Sequence, residues 1–362
     1  MRILHIISSL NQGGAQQMVS ELAKFQKANC NSVDIIVYDE CSSNLEKELE
    51  DSNINIISLH CKNTYAPQII LKLRHYIKKY DLAHVHLFPS LYQVAVASIG
   101  VKTPIVYTEH STYNRRRNKN FLAPVERVIY GFYNRVVSIS EATQNALLKW
   151  LWVKKNSRFS IIYNGINIER FNISTESDPE KIFGRKGTPI LMVSRFVESK
   201  DQETLIKSLK YIEDKDVYAV FAGDGEKLTK CHDYAISLGV EDRCLFLGNS
   251  SDIPILIHSC YIGVQASNWE GFGLTAVEFM ACKKPIIASN IPGLSEIVAD
   301  AGILFDRGDA KSLAKIVNKL IADREYYQQI SQLCYERSLN FDIAKTNIKY
   351  LNTYKEIIMN QQ

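Results

Sequence analysis

The sequence predicts an α/β fold built from two domains, each a parallel, doubly wound sheet. Three observations carry that expectation. Apolar runs of strand length alternate with helical patterns from the first residues to Ser138, which is the grammar of consecutive βαβ units. The alternation restarts at Pro189–Val193, after a polar stretch, Ser174–Gly187, that holds Pro179 and two glycines and reads as the linker between the halves. A length of 362 residues suits two ordinary domains.

Taken in order, residues 3–9 read as a buried strand, Asn11-Gln12-Gly13-Gly14 as a tight turn, and Ala15–Ala28 as a helix with Met18, Leu22 and Phe25 inward. This opening lacks G-x-G-x-x-G, so no dinucleotide cofactor is implied. Strands follow at Val33–Tyr38, Ile54–Leu59, His84–Phe88, Ile105–Thr108 and Arg135–Ser138, with helices at Pro67–Lys79 and Pro89–Ser98. Ser140 is placed to cap a helix over Glu141–Trp152. His84 and His86 share one face of a strand, but no Asp, Glu or Cys at suitable spacing completes a metal set, so a satisfied core or crevice role is expected. In the second half a strand at Pro189–Val193 leads to a helix with Leu205, Ile206, Leu209 and Ile212 inward. Asp309 caps a later helix, and the final helix, Asp342–Met359, turns Ile348, Leu351, Tyr354 and Ile358 to one side.

Composition narrows the class. The chain is 46% apolar and 23% charged, as globular proteins are, and a net charge of +4 is too mild to suggest a nucleic-acid partner. Eight cysteines without a C-x-x-C pair argue against a zinc site or a disulfide framework and suit a reducing cytoplasm. Met1-Arg2 runs directly into an apolar strand too short for a signal-peptide core, and the apolar run near Val94–Val101 falls far short of the roughly 20 residues a membrane span needs.

The richest stretch runs from Gly263 to Ser289. A strand around Tyr261–Ala266 breaks at Ser267-Asn268, passes through Glu270-Gly271-Phe272-Gly273, and enters a helix whose Leu274, Val277, Met280 and Ala281 form one apolar face. The glycines lie where that helix starts, so backbone N–H groups can approach an anion at the positive end of its dipole. Glu278 follows Glu270 by eight residues, on the order of 10 Å at helical rise. Two carboxylates so spaced cannot share a proton, yet they could hold hydroxyls at the two ends of an elongated ligand with its phosphates between them. The layout of a nucleotide sugar is of this kind. The plainer reading of the pair is a loop acid and a helix-surface acid.

The segment E-G-F-G-L-T-A-V-E-F-M-A, with its Glu-x7-Glu, resembles the signature of the retaining glycosyltransferases of family 4, which have the GT-B fold. The likeness extends through Asn164-Gly165-Ile166-Asn167, Ser194-Arg195 with Lys200-Asp201, Ala222-Gly223-Asp224-Gly225, Ile291-Pro292-Gly293 and Ala301–Phe305. It implies two Rossmann-like domains facing across a cleft. Residues 1–168 would bind the acceptor, 169–341 the nucleotide sugar, and the helix of 342–362 would cross back to the first domain.

The resemblance also implies site residues. Gly14, Gly223, Gly248, Gly271, Phe272, Gly273 and Leu274 would line the donor. Glu270 would bind the sugar, Glu278 the ribose, and His110, in the loop Thr108-Glu109-His110-Ser111, an outer hydroxyl of the sugar. Arg195 and Lys200, five apart after a strand, suit a diphosphate clamp, the Arg bidentate and the Lys a point charge. No metal or other cofactor is expected, and Asp214-Lys215-Asp216 reads as a solvated charged turn. The acceptor would be a saccharide or a lipid-linked saccharide. Between Tyr113 and Arg135, six cations (Arg115, Arg116, Arg117, Lys119, Arg127, Arg135) face one acid, Glu126, with Tyr113, Phe121, Tyr130, Phe132 and Tyr133 interleaved. Trp150–Lys155 repeats the theme, which suggests an anionic membrane surface as well as an ordinary surface loop. Two other functions fit the same motifs: a sugar-nucleotide epimerase of similar fold, and a non-catalytic sugar-nucleotide binder.

Overall fold

The computed structural model describes residues 1–11, 13–29, 31–39, 43–172, 178–250 and 252–360. Gln12 of the glycine turn, Cys30, Cys41 and residues 174–177 of the polar stretch lie outside them. The chain divides into two compact units, Met1–Gly165 with Ile343–Gln362, and Ile166–Asp342.

The first unit holds a sheet of β1 (Arg2–Ile6), β2 (Ser32–Val37), β3 (Asn55–Ser58), β4 (Leu82–His86), β5 (Ile105–Glu109), β6 (Arg135–Ser138) and β7 (Phe159–Ile161), in the order β3-β2-β1-β4-β5-β6-β7. The second holds β8 (Thr188–Val193), β9 (Val217–Ala222), β10 (Cys244–Gly248), β11 (Ile262–Gln265), β12 (Ile286–Ser289) and β13 (Ile303–Phe305), in the order β10-β9-β8-β11-β12-β13. Every pairing is parallel. Central strands such as β4, β9 and β11 are buried on both faces, and β9, Val-Tyr-Ala-Val-Phe-Ala, accordingly reads as a continuous apolar run. In each sheet the order reverses once, between β1 and β4 and between β8 and β11. Loops leaving such neighbours diverge, and open α/β sheets bind their ligands in that crevice.

One face of the first sheet packs Leu91, Val94, Tyr130 and Leu147. The other packs Met18 and Leu22 of the first helix and Tyr350 and Tyr354 of the last. On that last helix, Ile343–Met359, the buried line runs through Ile343, Thr346, Asn347, Tyr350, Tyr354 and Ile357. Ile348, expected inward, is 53% exposed, because it lies one residue, about 100° of helix, off that line. Likewise Phe25, expected inward on the first helix, is only partly buried, and the buried neighbour is the polar Gln26, which has a partner inside.

The boundary between the units precedes the polar stretch read as the linker. Residues 178–187 belong to the second unit and carry a short helix, Pro179–Phe183, capped by Asp178. Polarity marked exposure there, whereas the boundary follows contacts. The chain enters and leaves the second unit side by side: Ile166 bridges Asp342, and its N–H bonds to Phe341 O at 2.9 Å. β7 escaped the sequence reading because it is three residues long and follows a charged run.

Candidate active site

In the second unit, the loops after β8 and β11 are sewn together at the reversal of strand order. Asp201 N–H bonds to Ala266 O at 3.1 Å, Asn268 N–H to Ser199 O at 2.8 Å, and the Asn268 side chain to Glu198 O at 2.9 Å. This brings Lys200 onto Glu270. Its ammonium donates to Glu270 Oε2, and the same oxygen also takes Gln265 Nε2 at 3.2 Å and Ser267 Oγ at 3.5 Å. Arg195 lies on the same loop, exposed and without an ion pair among the described residues. Its backbone is held by Gln202, whose Nε2 donates to Arg195 O at 3.0 Å and to Ser194 Oγ at 3.1 Å. Thus a free cation and a paired one share a loop at the crevice edge, an arrangement suited to an anion with two centres of charge.

The candidate glycines serve close approach. Gly223 has φ +140°, and a Cβ there would lie 2.1 Å from Ser194 O, so only glycine lets the loop after β9 press on the loop bearing Arg195. Gly223 N–H also bonds to Gly248 O at 2.7 Å, which links the third loop, after β10. Gly293 does the same from the other side, where a Cβ would meet Glu270 O at 2.4 Å. Gly273 caps the helix Leu274–Ala281 and Gly271 stands just before it, whereas Phe272 turns its ring into the core against Phe341, centroids 5.5 Å apart. At the start of that helix Phe272 therefore presents its backbone, not its side chain. Leu274 is half-buried at the helix start.

Glu278 is half-buried on that helix, and burial raises its carboxyl to about 7, with the charge of Arg170 working against the rise. Asp214 and Asp216 are exposed; Asp214 accepts from Asp216 N–H at 2.9 Å within its own turn.

In the first unit, Gly14 opens the first helix, after β1, and His110 follows β5. His110 ends a buried chain of side chains. Gln26 Oε1 lies 2.8 Å from His5 Nε2, His5 Nδ1 3.1 Å from His86 Nε2, and His86 Nδ1 3.3 Å from His110 Nε2. His84 stands beside them, bonded to Thr108 Oγ1 at 2.7 Å and Tyr354 OH at 2.6 Å. Desolvation lowers all four imidazoles, His5 and His110 to about 4, so they are neutral near pH 7. The sequence reading sought an acid or cysteine to complete a metal set with His84 and His86, and missed His5. The three offer ring nitrogens within 4.8 Å of one another. Each of those six nitrogens already meets a protein partner, which accords with a satisfied interior cluster.

The basic stretch is less free than its composition suggests. Arg116 Nη1 pairs with buried Glu126 at 3.0 Å, Arg117 Nη2 with buried Glu109 at 3.3 Å, and Arg135 Nη2 with Glu356 at 2.8 Å. Glu126 also accepts from Tyr92 OH and Trp150 Nε1, each at 2.6 Å. Tyr130 and Tyr133 are core residues. What stays exposed is Arg115, Lys119 and Arg127, together with an apolar stripe the sequence reading did not isolate: Phe121, Val125, Val128 and Phe132. Their spacing of four, three and four puts them on one face of the helix Ala123–Gly131 and its flanks.

With this geometry in place, comparison with known proteins identifies the lineage. The profile of the family described as "Glycosyltransferase Family 4" matches residues 12–170, and that of "Glycosyl transferases group 1" matches residues 174–337. The chain is 26% identical over 302 residues to the UDP-Gal:alpha-D-GlcNAc-diphosphoundecaprenol alpha-1,3-galactosyltransferase of Escherichia coli, covering 78% of this chain and 77% of that protein. It is 25% identical over 242 residues to the N,N'-diacetylbacillosaminyl-diphospho-undecaprenol alpha-1,3-N-acetylgalactosaminyltransferase of Campylobacter jejuni, covering 65% and 63%. Among solved structures, Anabaena HepE in complex with UDP-glucose superposes with a TM-score of 0.88 at 26% identity, covering 98% of this chain and all of that one. The protein is an enzyme of glycosyltransferase family 4, with the two Rossmann-like domains of the GT-B fold.

Proposed function

We propose that the enzyme transfers a hexose from a UDP-sugar to a lipid-linked saccharide with retention of anomeric configuration, without a metal. The observation that carries this reading is the pairing of Lys200 with Glu270 beside unpaired Arg195, where strand order reverses between β8 and β11. UDP-glucose in the HepE complex and the diphosphoundecaprenol acceptor in the Escherichia coli relative's name support the choice of substrates. The reaction needs charge stabilised on the leaving diphosphate as the bond from C1 to its oxygen breaks. Arg195, Lys200 and the amides after Gly273 supply that as preorganised positive charge. The acceptor oxygen bonds to C1 on the face the diphosphate leaves, and its proton passes to the departing diphosphate oxygen. Glu270 and His110 hold sugar hydroxyls, and Glu278 holds the ribose. Incubation with UDP-glucose or UDP-galactose and a polyprenyl-diphosphate saccharide, with the product's linkage read by NMR, tests the reading. An α-linked product is expected; a β-linkage, or consumption of donor without acceptor, contradicts it.

The exposed stripe supports peripheral membrane binding. Phe121 is 73% exposed, Val128 63% and Trp152 63%. Arg158 Nη1 lies 3.9 Å from where a Gly131 Cβ would sit, which joins the loop bearing Trp152, Lys154 and Lys155 to the end of the striped helix. Cations around such a stripe each add about 1 kcal/mol near an anionic leaflet. Co-sedimentation with anionic vesicles should fall when Phe121 and Val128 are both replaced by Ser. Unchanged pelleting, or none in the wild type, contradicts this part.

A further inference from the structure

We infer that His5 and His86 are positioning residues that hold His110 as its Nε2–H tautomer, so that it offers the donor sugar a bare Nδ1 as hydrogen-bond acceptor. The inference rests on the proposed role of His110 as the sugar contact. It follows from accounting for protons along one chain of contacts. A neutral imidazole donates through one nitrogen and accepts through the other. Gln26 presents its carbonyl to His5 Nε2 at 2.8 Å, so that nitrogen carries the proton and His5 Nδ1 must accept. His86 Nε2, 3.1 Å away, then donates, and His86 Nδ1 accepts in turn. His110 Nε2, at 3.3 Å from it, must donate, which leaves Nδ1 as the lone-pair nitrogen, without a protein partner among the described residues.

His84 stands beside this relay without setting its direction: its Nδ1 meets Tyr354 OH at 2.6 Å and its Nε2 meets Thr108 Oγ1 at 2.7 Å, two hydroxyls that can each donate or accept. His5, His86 and His110 therefore share one tautomer. Burial blocks the alternative of adding a proton, since His5, His84 and His86 are fully inaccessible and neutral. An acceptor at Nδ1 selects a sugar that presents a hydroxyl donor there, and it disfavours one whose hydroxyl at that place is replaced by hydrogen or blocked by alkylation. The strand register makes the chain possible: His5 pairs with His84 across β1 and β4, and His86 with Thr108 across β4 and β5.

Two measurements test this. Two-bond ¹⁵N–¹H correlation spectra of the free enzyme read the tautomer directly, with His110 assigned from the His110→Gln variant. The result expected is a protonated Nε2 and a bare Nδ1, and a protonated Nδ1 overturns the inference. Because no substrate is present, this result does not depend on the proposed function. Kinetics then compare His86→Leu with His86→Asn, whose side-chain oxygen can take the place of Nδ1. His86→Leu should lower kcat roughly tenfold, the bias of one hydrogen bond, with a smaller change in the donor KM. His86→Asn should restore most of it. Equal loss in both folded variants, no loss in either, or stoichiometric zinc in the purified protein would each overturn the inference. If His110→Gln leaves kcat unchanged while the tautomer is as expected, the sugar-contact role fails and the relay stands.

Discussion

With Glu278 on the ribose, as proposed, nucleotide binding should be coupled to a proton. Its carboxyl is raised to about 7 by burial, with Arg170 as the opposing influence, so near neutral pH about half the free enzyme holds it protonated. Accepting hydrogen bonds from both ribose hydroxyls calls for the carboxylate. Nucleotide binding should therefore release a proton, and affinity should fall about tenfold between about pH 8 and pH 6, or about 1.4 kcal/mol. Glu278→Gln removes the titration. At about pH 8 it should bind UDP more weakly by roughly 1.5–3 kcal/mol, the worth of hydrogen bonds to a charged acceptor. Below that it should keep only the slope from the ionisation of UDP itself. Isothermal titration of both proteins across this range isolates the difference. Parallel curves would refute the reasoning.

The same shift bears on folding. The native state holds this proton more tightly than the unfolded chain, whose carboxyl titrates near 4.5. Its contribution to stability is therefore full below that value, falls as pH rises to about 7, and is level above. The full shift corresponds to about 3 kcal/mol, and partial solvent access reduces it to about 1–2 kcal/mol. Glu278→Gln should accordingly be the more stable protein at alkaline pH, by thermal or urea unfolding.

Three further outcomes follow from the geometry. Glu270→Gln should lower kcat on the order of a hundredfold, yet leave UDP affinity equal or tighter, because it removes the carboxylate that holds Lys200; a parallel loss of affinity in titration calorimetry would contradict this. Glu126→Gln leaves half-buried Arg116 without its counter-charge and should cost on the order of 3 kcal/mol by urea unfolding, and a change below about 1 kcal/mol would show the pair to be dispensable. EDTA should leave turnover unchanged; activity lost to EDTA and restored by Mn²⁺ would overturn the metal-free reading.

How much of this was legible in sequence depends on range. Arg195, Lys200, Glu270 and the glycines stand out because they sit in loops directly after apolar strands and match the family's motifs residue by residue. The strand alternation likewise yields both sheets, since period and length are local. What is hidden is pairing at a distance. Nothing in Ile3–Ile7 marks His5 as the partner of His86, and an inward Gln26 inside an apolar helical face reads as noise until its partner is seen. The same holds for Arg116 and Arg117, which composition counts as surface cations and the fold buries against Glu126 and Glu109. Gln265 could have been flagged: an amide closing an otherwise apolar strand just before Glu270 is a local signal, and it donates to that carboxylate at 3.2 Å.

The central claim is that a nucleoside diphosphate sits against Arg195 and Lys200, and UDP binding measured by titration calorimetry in the wild type, Arg195→Ala and Lys200→Ala tests it most directly. Each lost charge-assisted contact should weaken UDP by about 1.5–3 kcal/mol, roughly ten- to a hundredfold. Lys200→Ala should suffer more, because it leaves Glu270 as an uncompensated anion beside the diphosphate. Two well-folded variants that bind UDP as tightly as the wild type would contradict the account.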